Sequence, residues 1–167
     1  MKKIVFLFGL LMAASQWSFA QMDKSIKLNE VMTRNATNLQ DEYGNRGPWV
    51  EIANISHSTY NIRGMYITTD RAVLDETMSV PERVKRMSII PNGELRTNLS
   101  GQQHLVLFLN SSPTKGALHL AVDVDSVKPV WIALYNGNAT QLLDSITIPV
   151  MKVDQSFARI SKDENKW

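Results

Sequence analysis

Two glutamates stand inside otherwise apolar, strand-like runs: Glu30 within Ile26–Thr33 and Glu51 within Trp49–Ile55. Alternation with a period of two puts Glu30 on one face with Ile26, Leu28 and Met32, and Glu51 on one face with Trp49 and Ala53. A pair of carboxylates at such positions can serve acid–base chemistry or hold a metal. The alternative is structural. A carboxylate set into a sheet must be hydrogen-bonded or paired, because an uncompensated charge there is costly. Loop N–H groups and Arg34, Arg63 or Arg159 are available for that. No neighbouring residues complete a catalytic set, so Asn29, Glu30, Glu51, Asn54 and Arg159 are read as polar ties between strands and loops, and no catalytic residue is expected.

The other chemistry-bearing residues are scattered. His57 falls in a turn, and His104 and His119 at strand starts; their spacing matches no helical zinc motif. No serine sits in a G-x-S-x-G turn. Asp41-Glu42 and Asp123-Val124-Asp125 are the places where a hard cation such as calcium would bind, but neither follows the D-x-D-x-D-G frame that supplies 6–8 oxygens. The expectation is therefore no cofactor, with solvated acidic loops at both places. Asparagine in N-x-S/T context occurs at Asn35, Asn54, Asn98, Asn110 and Asn138, which matters only in a cell that glycosylates such sites. The tryptophans and tyrosines at strand positions, Trp49, Tyr66, Trp131 and Tyr135 among them, read as core.

These residues sit on short β-branched and aromatic runs punctuated by Gly, Pro, Asn and Asp, with no internal repeat and no long amphipathic helix. Strands are expected at Ile26–Thr33, Trp49–Ile55, Asn61–Thr69 (with a bulge at Gly64), Ser88–Ile90, His104–Leu109, Ala117–Val122, Val130–Tyr135, Gln141–Ile148 and, at an edge, Ser156–Ile160. Asn136-Gly137 predicts a tight hairpin turn between the seventh and eighth of these. Asp70–Met87 is charged and aperiodic and reads as an insertion with a short helical turn near Pro81–Arg86. About eight or nine strands joined by short turns predict an all-β, immunoglobulin-like antiparallel sandwich over 26–167.

Four segments in order resemble the lamin-tail domain family. They are Leu28-Asn29-Glu30-Val31, Trp49-Val50-Glu51-Ile52-Ala53-Asn54, Ile62–Asp70 with Gly64 inside it, and the end carrying Ser156-Phe157-Ala158-Arg159, Asp163 and Trp167. The chain departs from the family pattern at Met65, where a tryptophan is usual, and at Ala158, where glycine is. The resemblance implies an immunoglobulin-like sandwich and an accessory module attached to enzymes or envelope proteins. It also implies a chain that continues past Trp167.

The first twenty residues read as an export signal: Lys2 and Lys3, an uncharged run over Ile4–Ala14, then Ser18-Phe19-Ala20 before cleavage. A short lead, 21–25, precedes the domain. The signal takes two of the 18 Lys+Arg and none of the 16 Asp+Glu, which leaves the mature chain neutral. That argues against nucleic acid as a partner. With no cysteine, an exported protein must be held by its core and strand pairing. The expectation is a non-enzymatic module in the periplasm or on the surface of a Gram-negative bacterium. It would bind a protein partner or position an adjacent domain. Asp70, Arg71, Asp75, Glu76, Arg83, Lys85 and Arg86 form the proposed interaction element. Two alternatives are the extracytoplasmic front of a membrane-complex subunit, such as the gamma-type subunit of a sodium-pumping decarboxylase, with a span beyond 167, and a carboxylate-dependent hydrolase using Glu30 and Glu51.

Overall fold

The structure is a computed structural model and describes residues 25–110, 116–160 and 166–167. The expected signal segment, residues 21–24 of the lead and Asp163 lie outside the described residues. The described chain is an all-β sandwich. Its strands are β1 (Ile26–Met32), β2 (Trp49–Asn54), β3 (Tyr60–Asn61), β4 (Tyr66–Thr68), β5 (Ser88–Ile89), β6 (Asn98–Leu99), β7 (His104–Leu109), β8 (His119–Leu120), β9 (Val130–Tyr135), β10 (Leu142–Ile148) and β11 (Phe157–Ala158). The count exceeds the expected eight or nine because several strands are only two residues long. One sheet has the order β11-β1-β2-β7-β8 and the other β10-β9-β4-β5, with β3-β6 as a separate ribbon. Every pair is antiparallel except β7–β8, which is parallel.

Alternation builds the core. Ile26, Leu28 and Val31 of β1, Val50 and Ile52 of β2, and Leu105, Leu107 and Leu109 of β7 face Ile67, Ile132, Leu134, Leu143 and Ile148 of the other sheet, in one buried cluster. Fully burying side chains of this size contributes on the order of 1.5–3 kcal/mol each, which is how a chain without disulfides holds two sheets together. A second, smaller cluster forms on the outer face of the four-stranded sheet, where Val73 packs on Trp131, Ala133 and Tyr135.

Three expectations are corrected. In β1 the register steps from Leu28↔Ile52 to Glu30↔Glu51, a bulge at Asn29. The extra residue reverses the alternation, so Glu30 turns outward with Met32 and Trp49 while Val31 takes the inward place. The Asn61–Thr69 run is two strands in different sheets. Gly64 lies in the turn between them at φ +79, a left-handed conformation that costs a glycine nothing. The β9–β10 hairpin is wider than an Asn-Gly turn: Asn136 N–H donates to Gln141 O, and the positive φ is at Ala139 (+56). The Asn136 carboxamide oxygen accepts from the Thr140 and Gln141 N–H groups, which favours the wider loop. The insertion folds as a 3-10 turn, Arg71–Leu74, capped by Asp70, and a helix, Val80–Val84, whose Ser79 and Glu82 form a capping box.

Candidate functional site

The registers lay out the outer face of the five-stranded sheet in rows. Met32, Trp49, Phe108 and His119 stand side by side across four strands. This row is buried, and the loop between β1 and β2 reaches its His119 end through Glu42 and Tyr43. His119 is fully buried (0% exposed), stacked on Phe108 at 5.3 Å with Tyr43 at 6.2 Å. The Asn110 amide nitrogen lies 2.7 Å from its Nδ1, and its Nε2 is 3.0 Å from Glu42 Oε2. With Asn110 donating to Nδ1, Nε2 carries the proton and donates to Glu42. This latch holds the loop over the row.

The adjacent rows are more open, though Ala53 within them is buried. Ala158, Glu30, Glu51 and Val106 form one, and Lys27, Ala53 and His104 another. Here the two glutamates of the sequence analysis meet directly across strands, an arrangement in which like charges repel. Glu51 is compensated: its Oε1 accepts from Asn29 Nδ2 at 2.6 Å and lies 2.7 Å from His104 Nδ1. The Glu30 side chain has no hydrogen bond or ion pair among the described residues. The Glu51–His104 contact is the arrangement by which a carboxylate orients an imidazole for general-base work. His104 Nδ1 carries the proton it donates to Glu51, and its other polar neighbour among the described residues is the Asn29 amide nitrogen at 3.5 Å; neither neighbour is the hydroxyl or thiol that such a pair would activate.

The acidic loops are taken up by their own backbones. Asp41 Oδ1 accepts from the N–H groups of Tyr43 (3.0 Å) and Asn45 (2.7 Å). Burial pushes the Asp41 carboxyl up, but these Asn45 and Tyr43 hydrogen bonds outweigh it and leave it below its ordinary value. Glu42 is lowered by its own backbone N–H and by His119. Asp125 is lowered by the Val127 N–H and by Lys128, while Asp123 is exposed. Among the described residues no group of three or more His, Cys, Asp or Glu is placed to hold a metal ion.

The strongest polar contacts lie elsewhere. Asn54, completely buried, donates to Ser58 O (2.7 Å) and Leu99 O (2.9 Å) and accepts from Ser56 Oγ, tying the loop after β2 to β6. Arg159 reaches neither glutamate. Its Nη2 lies 2.6 Å from Asp144 Oδ2, with side-chain exposures of only 3% and 9%. The same two side chains satisfy the outer backbone edge of β1: Leu28 N–H donates to Asp144 (2.9 Å), and Arg159 Nε donates to Leu28 O (3.0 Å). Trp167 covers the guanidinium at 4.7 Å and stacks on Phe157 at 5.5 Å. Asp144 was missed from sequence. The available signal was a lone charge in the apolar run of β10, where an inward-pointing carboxylate demands a partner.

The insertion is braced at several points. Asp70 caps Ala72 N–H and pairs with Arg86 at 2.7 Å, and Arg71 lies over the Trp131 ring at 5.4 Å. Asp75 accepts from the Thr77 N–H and hydroxyl. Arg83 donates to Asp75 O, Met78 O and, across to the β9–β10 hairpin, Ala139 O. Glu76 and Lys85 remain exposed. An open depression of about 560 Å³ is lined by Asp75, Thr77, Met78, Glu82, Lys85 and Arg86.

No family model, no curated protein and no solved structure matches the chain. Fold and geometry together define a β-sandwich in which most charged groups serve as ties within the described residues. Glu30 on the outer face of the five-stranded sheet and Glu76 and Lys85 on the insertion are among those that do not.

Proposed function

We propose that this chain is a non-enzymatic, extracytoplasmic interaction module of lamin-tail type, binding a protein partner through the segment Asp70–Met87. The observation that carries this reading is the bracing of the insertion. Asp70, Asp75, Arg83 and Arg86 are spent on fixing its shape, while Glu76 and Lys85 are left facing solvent beside a shallow, mixed-charge depression. A depression that open does not enclose a small molecule, which typically has most of its surface buried when bound. Fixed polar rims of both signs suit a protein surface, where complementary charges set specificity and association rate. Exchanging the two charges, Glu76→Lys with Lys85→Glu, leaves every brace in place. The exchange is expected to abolish capture of the partner from the exporting cell while the melting curve stays unchanged. Equal capture by the exchanged variant would sink the reading.

A second reading, a hydrolase, is favoured by the contact between Glu51 and His104. It requires that a hydrolytic activity of the wild-type chain disappear in a folded Glu51→Gln variant. A folded variant with the same turnover removes it.

A further inference from the structure

Strand addition is the usual risk at a sheet edge, and the described edges of the two larger sheets are β11, β8, β10 and β5. Three of them are two residues long, and β10 carries a bulge between Leu142 and Asp144 together with an inward-pointing charge. These are devices that blunt an edge. The edge of β1 is protected differently. β11 pairs with it only at Glu30↔Ala158 and Val31↔Phe157. Beyond that point, Arg159 N–H donates to Asn29 O, and the Asp144–Arg159 pair supplies Leu28 with the acceptor and the donor that a neighbouring strand would offer. A short, separable segment therefore covers the edge of a long strand.

We propose that the β1 edge together with Asp144 is a strand-binding seat, filled here by the chain's own Phe157-Ala158-Arg159, and that the same segment of a second copy fills it in an exchanged dimer. The seat sets strict terms for its occupant. Asp144 is almost fully buried, so whatever replaces Arg159 must bring a cation, since one charge left alone is strongly unfavourable. The position facing Glu30 takes a small residue, and the residue before it carries the aromatic ring. The segment that meets these terms by construction is the one already present, and a second copy supplies it without any new contact.

The connection between β10 and β11 is the hinge of such an exchange. Residues 149–156 are mostly exposed, and Asp154 within them holds φ +61, a left-handed conformation that strains a non-glycine residue. Asp154 is kept there by its carboxylate, which accepts from Ala36 N–H, Thr37 N–H and the Thr37 hydroxyl, and by its own N–H, which donates to Arg34 O. Exchange must open this connection, which relaxes the φ at Asp154 and gives up its four hydrogen bonds. Association entropy opposes the dimer, so protein concentration drives it.

Because the chain has no cysteine, single thiols report the exchange cleanly. Arg159 N–H bonding to Asn29 O makes Glu30↔Ala158 a non-hydrogen-bonded pair, the close kind whose spacing a disulfide spans. A full-length Glu30→Cys chain and a full-length Ala158→Cys chain are mixed at millimolar concentration, warmed together under reduction, then oxidised. The expected product is a mixed disulfide joining position 30 of one chain to position 158 of the other, identified by peptide mapping. It should grow with concentration and with time of co-incubation, and be at least tenfold less abundant when the mixture is oxidised at once. A mixed disulfide no more abundant than the two products that join like chains, 30 to 30 and 158 to 158, at every concentration, overturns the proposal.

Discussion

Asp144 and Glu51 are both carboxylates on strands that bury apolar neighbours, and each has a basic partner within 2.7 Å, Arg159 or His104. Their surroundings differ. The Asp144–Arg159 pair is sealed between β1 and β10, bonded to the backbone of Leu28 and roofed by Trp167. The Glu51–His104 pair lies on an open sheet face, with side-chain exposures of 19% and 30%, and Glu30 stands beside it without a partner among the described residues. Enclosure and saturation by hydrogen bonds, rather than the mere presence of an ion pair, distinguish a tie that holds the fold from a group that is free to act.

That contrast fixes the order of expected effects. The largest is at the seam: Arg159→Ala or Asp144→Ala leaves a buried charge alone and should destabilise by about 3–5 kcal/mol in denaturant unfolding. A loss under about 1 kcal/mol for both, the size seen at exposed pairs, would mean the seam is not the sealed tie described. Next comes Asn54→Ala, which strands the carbonyl groups of Ser58 and Leu99 and should cost about 1–3 kcal/mol in the same assay. Glu51→Gln should change stability by no more than about 1 kcal/mol, in line with exposed pairs. A drop as large as that of Arg159→Ala would erase the distinction between the two regions.

The smallest effect concerns a third pair. Arg96 donates to both carboxylate oxygens of Glu94 and, with its backbone N–H, holds the glutamate down to about 2 from an ordinary 4.5. A depressed carboxyl contributes stability above its unfolded value that fades as pH falls towards about 2. Carboxyl chemical shifts followed by NMR should therefore place the Glu94 midpoint near 2. A midpoint near 4.5 would show that this exposed pair does not persist in solution.

Much of the scaffold is legible in the residues themselves. β2, β7 and β9 follow their alternation or apolar continuity, β10 lies within Gln141–Ile148, and β11 sits at an edge where Ser156–Ile160 predicts one. The helical turn near Pro81–Arg86 follows from proline after a serine cap with Glu82 completing the box. What alternation hides is the bulge at Asn29, because inserting one residue leaves the local pattern of Ile26–Met32 apparently unbroken while reversing its second half. The hairpin after β9 is misjudged because side-chain bonds from Asn136 override the tight turn that Asn-Gly favours. The partners of Arg159 are hidden for another reason: Leu28 and Arg159 are 131 positions apart, and only the pairing of β11 beside β1, with β10 packed over them from the other sheet, brings Arg159 to Leu28 and Asp144. Glu42 and His119, 77 positions apart, meet only because the loop after β1 folds back to β8.

The central claim is that the working surface lies on the braced insertion and not on the open rows around Glu51. It is tested most directly by placing a photo-reactive residue at position 85 in one chain and at position 104 in another, then irradiating cells that produce them. The account predicts a discrete covalent adduct with one partner protein from position 85 and none from position 104. An adduct from position 104 with none from position 85 would contradict it.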